Sequence, residues 1–234
     1  MTPPNHREEL LIARGLSKWF KSQNHSTVAD MVRGWRKGSR KILAIENVDL
    51  TVRRGECVAI LGANGSGKST LLRCLAGIVV PNRGDTLVLG KMAALLSHGF
   101  GAYEELPVWR NILLVQQLLG ASLVEAKSRI AAIAEHATLT DRLYGPCSQL
   151  SEGMRAKISL SSLAFTSFDV ALLDESLNHV DSEYRDKYFQ LTRDWIKEGR
   201  SLIITSHDDH LLTSFSTIRM RMHNNSLIQE STSG

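Results

Sequence analysis

Residues 62–70, Gly62-Ala63-Asn64-Gly65-Ser66-Gly67-Lys68-Ser69-Thr70, set two glycines around four residues and follow them at once with a lysine and a hydroxyl side chain. That spacing is a phosphate-binding loop. Gly62, Gly65 and Gly67, with Asn64 and Thr70 in the same arc, let backbone N–H groups turn inward around a phosphate; Lys68 adds a point charge and the Ser69 hydroxyl a ligand for Mg2+. The flanks suit the motif. Glu56 to Leu61 is a short apolar, β-prone run and Thr70 to Ala76 reads as the start of a helix, whose N-terminal dipole favours the same anion.

Downstream, Val170-Ala171-Leu172-Leu173-Asp174-Glu175 is an apolar strand ending in two acids. Beside a phosphate loop, Asp174 suits a second Mg2+ ligand and Glu175 a group that polarises the attacking water, which points to hydrolysis over passive sensing. Gln149-Leu150-Ser151-Glu152-Gly153-Met154-Arg155 precedes an apolar helix. Ser151 and Gly153 at that N-terminus make another anion site, and a chain already holding one for the same nucleotide suggests a second subunit, Ser151 and Gly153 of one closing on the γ-phosphate held by Lys68 of the other. An ordinary helix cap is the alternative role for Ser151. His207, just past the apolar run ending at Ser206, is placed to donate to the γ-phosphate; the cluster His207-Asp208-Asp209-His210 lacks the further ligands of a metal site.

The elements that must carry these groups follow from periodicity. Strands are expected near residues 10–20, 44–52, 56–61, 84–90, 93–97, 169–174 and 201–206, helical repeats over 107–145, and an amphipathic helix over 182–198 closed by Gly199. Its stripe of Tyr184, Tyr188, Leu191 and Trp195 reads as core packing. The fold class is therefore α/β, a mixed sheet flanking the loop helix plus a helical subdomain. No apolar run approaches the roughly 20 residues that cross a bilayer, and the N-terminal stretch lacks a signal-peptide core, so a cytoplasmic location is expected. Cys57, Cys74 and Cys147 are odd in number and scattered, which implies reduced thiols, two of them in core elements. Much of the net charge of +4 is local: Arg33, Arg36, Lys37, Arg40 and Lys41 surround Trp35 in a basic insertion at 21–42, suited to phosphate, lipid headgroups or nucleic acid, or simply to solvent.

In order, the phosphate loop, Ser151 to Met154, Leu172 to Glu175, Asn178-His179-Val180-Asp181 and Thr205-Ser206-His207 resemble the ATP-binding cassette (ABC) transporter ATPases over nearly the whole chain. The resemblance implies a P-loop NTPase of ABC type, one domain over 1–234 with a helical signature subdomain at about 107–167 inserted in a RecA-like core. It implies ATP and Mg2+ as cofactors, Ser151 and Gly153 in the signature, Asp181 in the D-loop, His207 as the switch histidine, and Phe20 or Trp19 as the aromatic that stacks on adenine.

The Ser-x-Gly-Met-Arg-Ala signature, residues 90–112 and the insertion after Phe20 are similar to the subfamily exporting capsular polysaccharide, O-antigen or teichoic acid. That implies a homodimer on the cytoplasmic face of the inner membrane, bound to a polytopic membrane permease subunit, with ATP hydrolysis driving passage of a lipid-linked polysaccharide and no nucleic acid as partner. The insertion is then expected to face the membrane and guide the substrate's anionic head. Some relatives append a carbohydrate-binding domain; this sequence ends near residue 230, so recognition through one is not expected. Two departures stand out: Ser97 and His98 occupy the region of the usual Mg2+-contacting glutamine, and Glu152 replaces a small residue beside the signature serine. Both favour one alternative, a non-hydrolysing or regulatory module, which Glu175 and His207 oppose; the basic segment favours the other, an ABC ATPase for another substrate.

Overall fold

The computed structural model describes residues 8–21, 41–96, 103–175, 180–206 and 216–230. Strands β1 (Glu9–Lys21), β2 (Lys41–Arg53) and β4 (Arg83–Val88) form an antiparallel sheet in the order β2-β1-β4. A second sheet runs β5-β6-β7-β3-β8-β9, from β3 (Cys57–Leu61), β5 (Met92–Leu95), β6 (Val170–Asp174), β7 (Ser201–Ser206), β8 (Ile218–His223) and β9 (Ser226–Gln229). Every residue of β3, β6 and β7 is buried, the continuous apolar pattern of parallel strands covered on both faces.

The expected mixed sheet is present, since β9 alone runs antiparallel to its neighbour. Its separation from a second sheet was not foreseen, nor was the β8–β9 hairpin. Asn224 and Asn225 make that turn with φ of 47° and 66°, the left-handed pair that a two-residue hairpin with matching twist requires.

Helix α1 (Lys68–Leu75) lies between the sheets: Leu71, Leu72 and Leu75 share a core with Leu11, Leu16, Ile45 and Val52 of the antiparallel sheet and Val58, Ile60 and Leu172 of the other. The opposite face of the six-stranded sheet packs on α2 (Val108–Leu118), α3 (Leu123–His136), α4 (Glu152–Ala164) and α5 (Ser182–Lys197), where Ala59, Leu61 and Leu173 meet Ile112, Leu160, Tyr188 and Trp195. β3 therefore feeds both cores by alternation, and the loop after it is anchored from two sides. The α5 stripe is core as expected: Tyr184, Tyr188 and Trp195 are buried and Leu191 packs against the same cluster.

The three cysteines are free and buried, Cys57 in β3 and Cys74 in α1. Burial pushes the Cys57 thiol up to about 12, leaving it protonated and inert at neutral pH. Among the described residues no helix is long and apolar enough to cross a membrane.

Candidate functional site

The loop between β3 and α1 is wedged against its neighbours. Gly67 has φ 108°, and a Cβ there would fall 2.3 Å from the Ala44 carbonyl oxygen of β2, so only glycine fits. As the N-cap of α1 it offers no side chain to the first-turn N–H groups, whereas Ser122, Ser151 and Asp181 cap α3, α4 and α5 with an oxygen. An uncapped N-terminus beneath a glycine arc leaves its donors and dipole to an anionic ligand. Asn64 and Gly65 are exposed along the arc and Ser69 and Thr70 partly so.

Lys68 is buried at the centre. Its ammonium donates to the carbonyl oxygens of Gly62 at 2.7 Å and Ala63 at 3.2 Å, and stands 3.5 Å from Glu175 Oε1. The two acids expected to act with it come from the end of β6. Asp174 is buried and its Oδ1 accepts the Thr205 hydroxyl at 2.6 Å. Glu175 is turned out of the strand with φ 48°, a left-handed conformation uncommon for glutamate, and its N–H donates to Thr205 Oγ1 at 3.2 Å. Thr205 thus holds the Asp174 carboxylate and the Glu175 backbone from the adjacent strand. Sequence reading named it only within Thr205-Ser206-His207 and gave it no role; the signal was its register opposite Asp174. The donors near the loop, a hydroxyl at Ser69 and a carboxylate at Asp174, are hard oxygens of the kind Mg2+ takes.

The family model for ABC transporters matches residues 45–178. The chain belongs to that family. Curated relatives include the O-antigen export system ATP-binding protein RfbB of Klebsiella pneumoniae, 37% identical over 72% of this chain and 69% of that protein, and RfbE of Yersinia enterocolitica, 31% identical over 81% and 80%. The teichoic acids export ATP-binding protein TagH of Bacillus cereus is 32% identical over 74% of this chain and 32% of its own length. An ATP-binding cassette solved as a dimer in a post-hydrolysis state with ADP and Pi superposes with a TM-score of 0.79 at 20% identity, covering 96% of this chain and all of that one, which establishes the ABC cassette fold.

The expected signature residues of this ABC ATPase lie elsewhere on the molecule. α4 packs on α2, α3 and α5, whereas α1 packs on β2 and β6, so Ser151 and Gly153 open a helix in a different layer from the phosphate loop. Ser151 caps the helix, its Oγ accepting the Met154 N–H at 3.2 Å. Glu152 is exposed as the first residue of α4, where the helix dipole favours an acid. Asp181 caps α5 through the Tyr184 N–H at 2.9 Å.

Phe20 and Trp19 are separated by the pleat of β1. Lys18 donates to the Val80 carbonyl at 2.8 Å, just past α1, and its ammonium lies 5.2 Å from the Phe20 ring. Phe20 therefore shares the α1 side and is 44% exposed, open to a ligand. Trp19 carries Lys41 and Arg83 over its ring at 5.0 and 5.9 Å.

Asn111 is a second residue to which sequence reading gave no role. Fully buried, its side chain accepts the Tyr103 N–H at 2.6 Å and donates to the carbonyls of Tyr103, Leu106 and Pro107 at 3.0 to 3.3 Å. The segment so folded holds the approach to the signature: Ser148 N–H donates to the Glu104 carbonyl at 2.9 Å and Arg155 pairs with the Glu104 carboxylate. His207, Ser97, His98, Asn178 and His179 lie outside the described residues, as do Arg33, Trp35, Arg36, Lys37 and Arg40. β1 and β2 run on to Lys21 and Lys41, so the segment joining them is 22–40.

Proposed function

We infer that this chain is the ATP-hydrolysing nucleotide-binding subunit of an ABC exporter that drives a lipid-linked polysaccharide across the cytoplasmic membrane. The relatives named for O-antigen and teichoic acid export support the substrate class, and the pairing of Glu175 with Lys68 at 3.5 Å carries the hydrolytic reading. Lys68 and the α1 N-terminus hold the phosphates, Ser69 and Asp174 hold Mg2+, and Glu175 takes a proton from the attacking water. Bound Mg2+ supplies charge that offsets the phosphate oxygens.

In this reading the working unit is a homodimer seated on a polytopic membrane permease at the cytoplasmic face. Ser151, Gly153 and Asp181 of one protomer face the nucleotide of the other, His207 reaches the γ-phosphate, and the basic segment around Trp35 lies toward the membrane. The regulatory alternative rests on Glu152 and on Ser97 and His98 in place of the usual glutamine; Glu152 is exposed at a helix start, where an acid is favourable.

Cells carrying Glu175→Gln in place of the native protein test the reading: glycan attached to its lipid should accumulate inside the membrane and disappear from the surface. Unchanged surface glycan would refute it.

Phe20 is the adenine platform in this assignment. Stacking of a base on an aromatic ring contributes about 1–3 kcal/mol, so Phe20→Ala should weaken ATP binding about tenfold, while Trp19→Ala changes it less than about twofold. Titration of both variants with ATP decides the order; the reverse result would give the platform to Trp19.

A further inference from the structure

Two groups assigned to the partner's nucleotide, Ser151 and Asp181, cap different helices, α4 and α5. A single lysine joins them. Lys157, six residues beyond Ser151 on α4, has a side chain only 13% exposed; its ammonium lies 2.5 Å from Asp181 Oδ2 and 5.0 Å from the centre of the Tyr184 ring. Asp181 divides its carboxylate accordingly, Oδ1 accepting the Tyr184 N–H that starts α5 and Oδ2 accepting from α4.

Tyr184 closes the connection from the other side. Its hydroxyl donates to the Lys157 carbonyl at 3.2 Å and shares a hydrogen bond of 2.7 Å with Ser161 Oγ, one turn further along α4. Ser161 is in turn 2.9 Å from His136 Nδ1 on α3. The Lys157 ammonium, with the Tyr184 N–H second, holds the Asp181 carboxyl below the usual carboxylate range, so that carboxyl stays ionised at neutral pH. An ion pair with one exposed partner adds little to stability. What it adds is geometry, because a buried lysine stem over an aromatic ring has few other places to put its charge.

We propose that Lys157 is a positioning residue of the composite site, fixing Asp181 to the signature helix so that both reach the partner's nucleotide in one movement. The proposal rests on the dimer reading above. Without Lys157 the α5 cap survives through Tyr184, so the protomer folds and its phosphate loop is untouched; only the spacing of the two groups that close on the partner is loosened.

The experiment compares Lys157→Met, Lys157→Arg and the parent, all in a Glu175→Gln background, for ATP-driven dimer formation by sedimentation and for ADP affinity of the protomers by calorimetry. Lys157→Met should raise the ATP concentration for half-maximal dimerisation about tenfold, within the range by which network residues away from a ligand change coupling, and leave ADP affinity unchanged. Lys157→Arg should restore dimerisation, and Asp181→Asn combined with Lys157→Met should be no worse than the worse single variant. Dimerisation of Lys157→Met at the parent's ATP concentration, multiplying defects in the double variant, or failure of arginine to rescue would overturn the proposal. Loss of ADP affinity together with dimerisation would overturn it too, as a general folding defect. A Glu175→Gln parent that forms no ATP-dependent dimer would overturn the dimer reading itself, and this proposal with it.

Discussion

Purified Glu175→Gln protein is expected to hydrolyse ATP about 10²–10⁴-fold more slowly than the parent, the usual contribution of a positioned general base, while binding nucleotide at least as tightly. Glutamine keeps the shape of the side chain, and the backbone at this position is held by the Thr205 contacts to its N–H, so the substitution changes chemistry and not placement. It also removes a competitor. The Glu175 carboxylate stands 3.5 Å from the Lys68 ammonium, with the lysine side chain 4% exposed and the glutamate 20%. An arriving phosphate has to take over that ammonium from a carboxylate of like charge to its own. With glutamine in place the takeover opposes no charge, so affinity for a non-hydrolysable ATP analogue should hold or rise. Turnover within threefold of the parent would move the base elsewhere, and weakened analogue binding would mean that the pair holds the loop in its binding form.

The phosphate loop was legible because its spacing is itself the mechanism: the glycines are there for backbone approach, and the structure adds only which neighbour they approach, Ala44 for Gly67. The buried strands β3, β6 and β7 were legible for a similar reason, since a run with no polar alternation has only one place to go. What the sequence did not disclose depends on pairing between distant segments. β1 and β2 each run 13 residues, with breaks in register at Leu16 and Lys18, and nothing local says that they leave the main sheet to pair with each other and with β4. The same gap hid Thr205, which matters only because β7 lies beside β6, and Asn111, whose partners are carbonyls of a loop and not side chains with a pattern. Phe20 and Trp19 show the limit most sharply. Alternation separates their faces, yet which face meets α1 is decided by how the antiparallel sheet packs on the helix.

Lys68→Ala should abolish detectable ATP binding and, with it, turnover. Two losses combine. The ammonium makes charge-assisted bonds to phosphate, each worth about 1.5–3 kcal/mol, so two of them account for a fall in affinity of about 10²-fold or more. Alanine also leaves the Glu175 carboxylate beside an emptied loop without its cation, and the incoming phosphate then meets repulsion where it had met attraction. This second loss has its own signature: adding Glu175→Gln to Lys68→Ala should recover part of the binding, though none of the turnover, because it removes the repulsion without restoring the attraction. Lys68→Arg should not rescue. The ammonium sits between the Gly62 and Ala63 carbonyls in a space that leaves it 4% exposed, and a planar guanidinium with its donors in a fixed fork cannot occupy the position of a compact, rotatable charge. Calorimetric titration of the four proteins, with thermal unfolding to confirm that each is folded, separates the terms. Binding by Lys68→Ala within threefold of the parent would remove the phosphate loop from the site; equal binding by Lys68→Ala with and without Glu175→Gln would show that the carboxylate turns away once its lysine is gone.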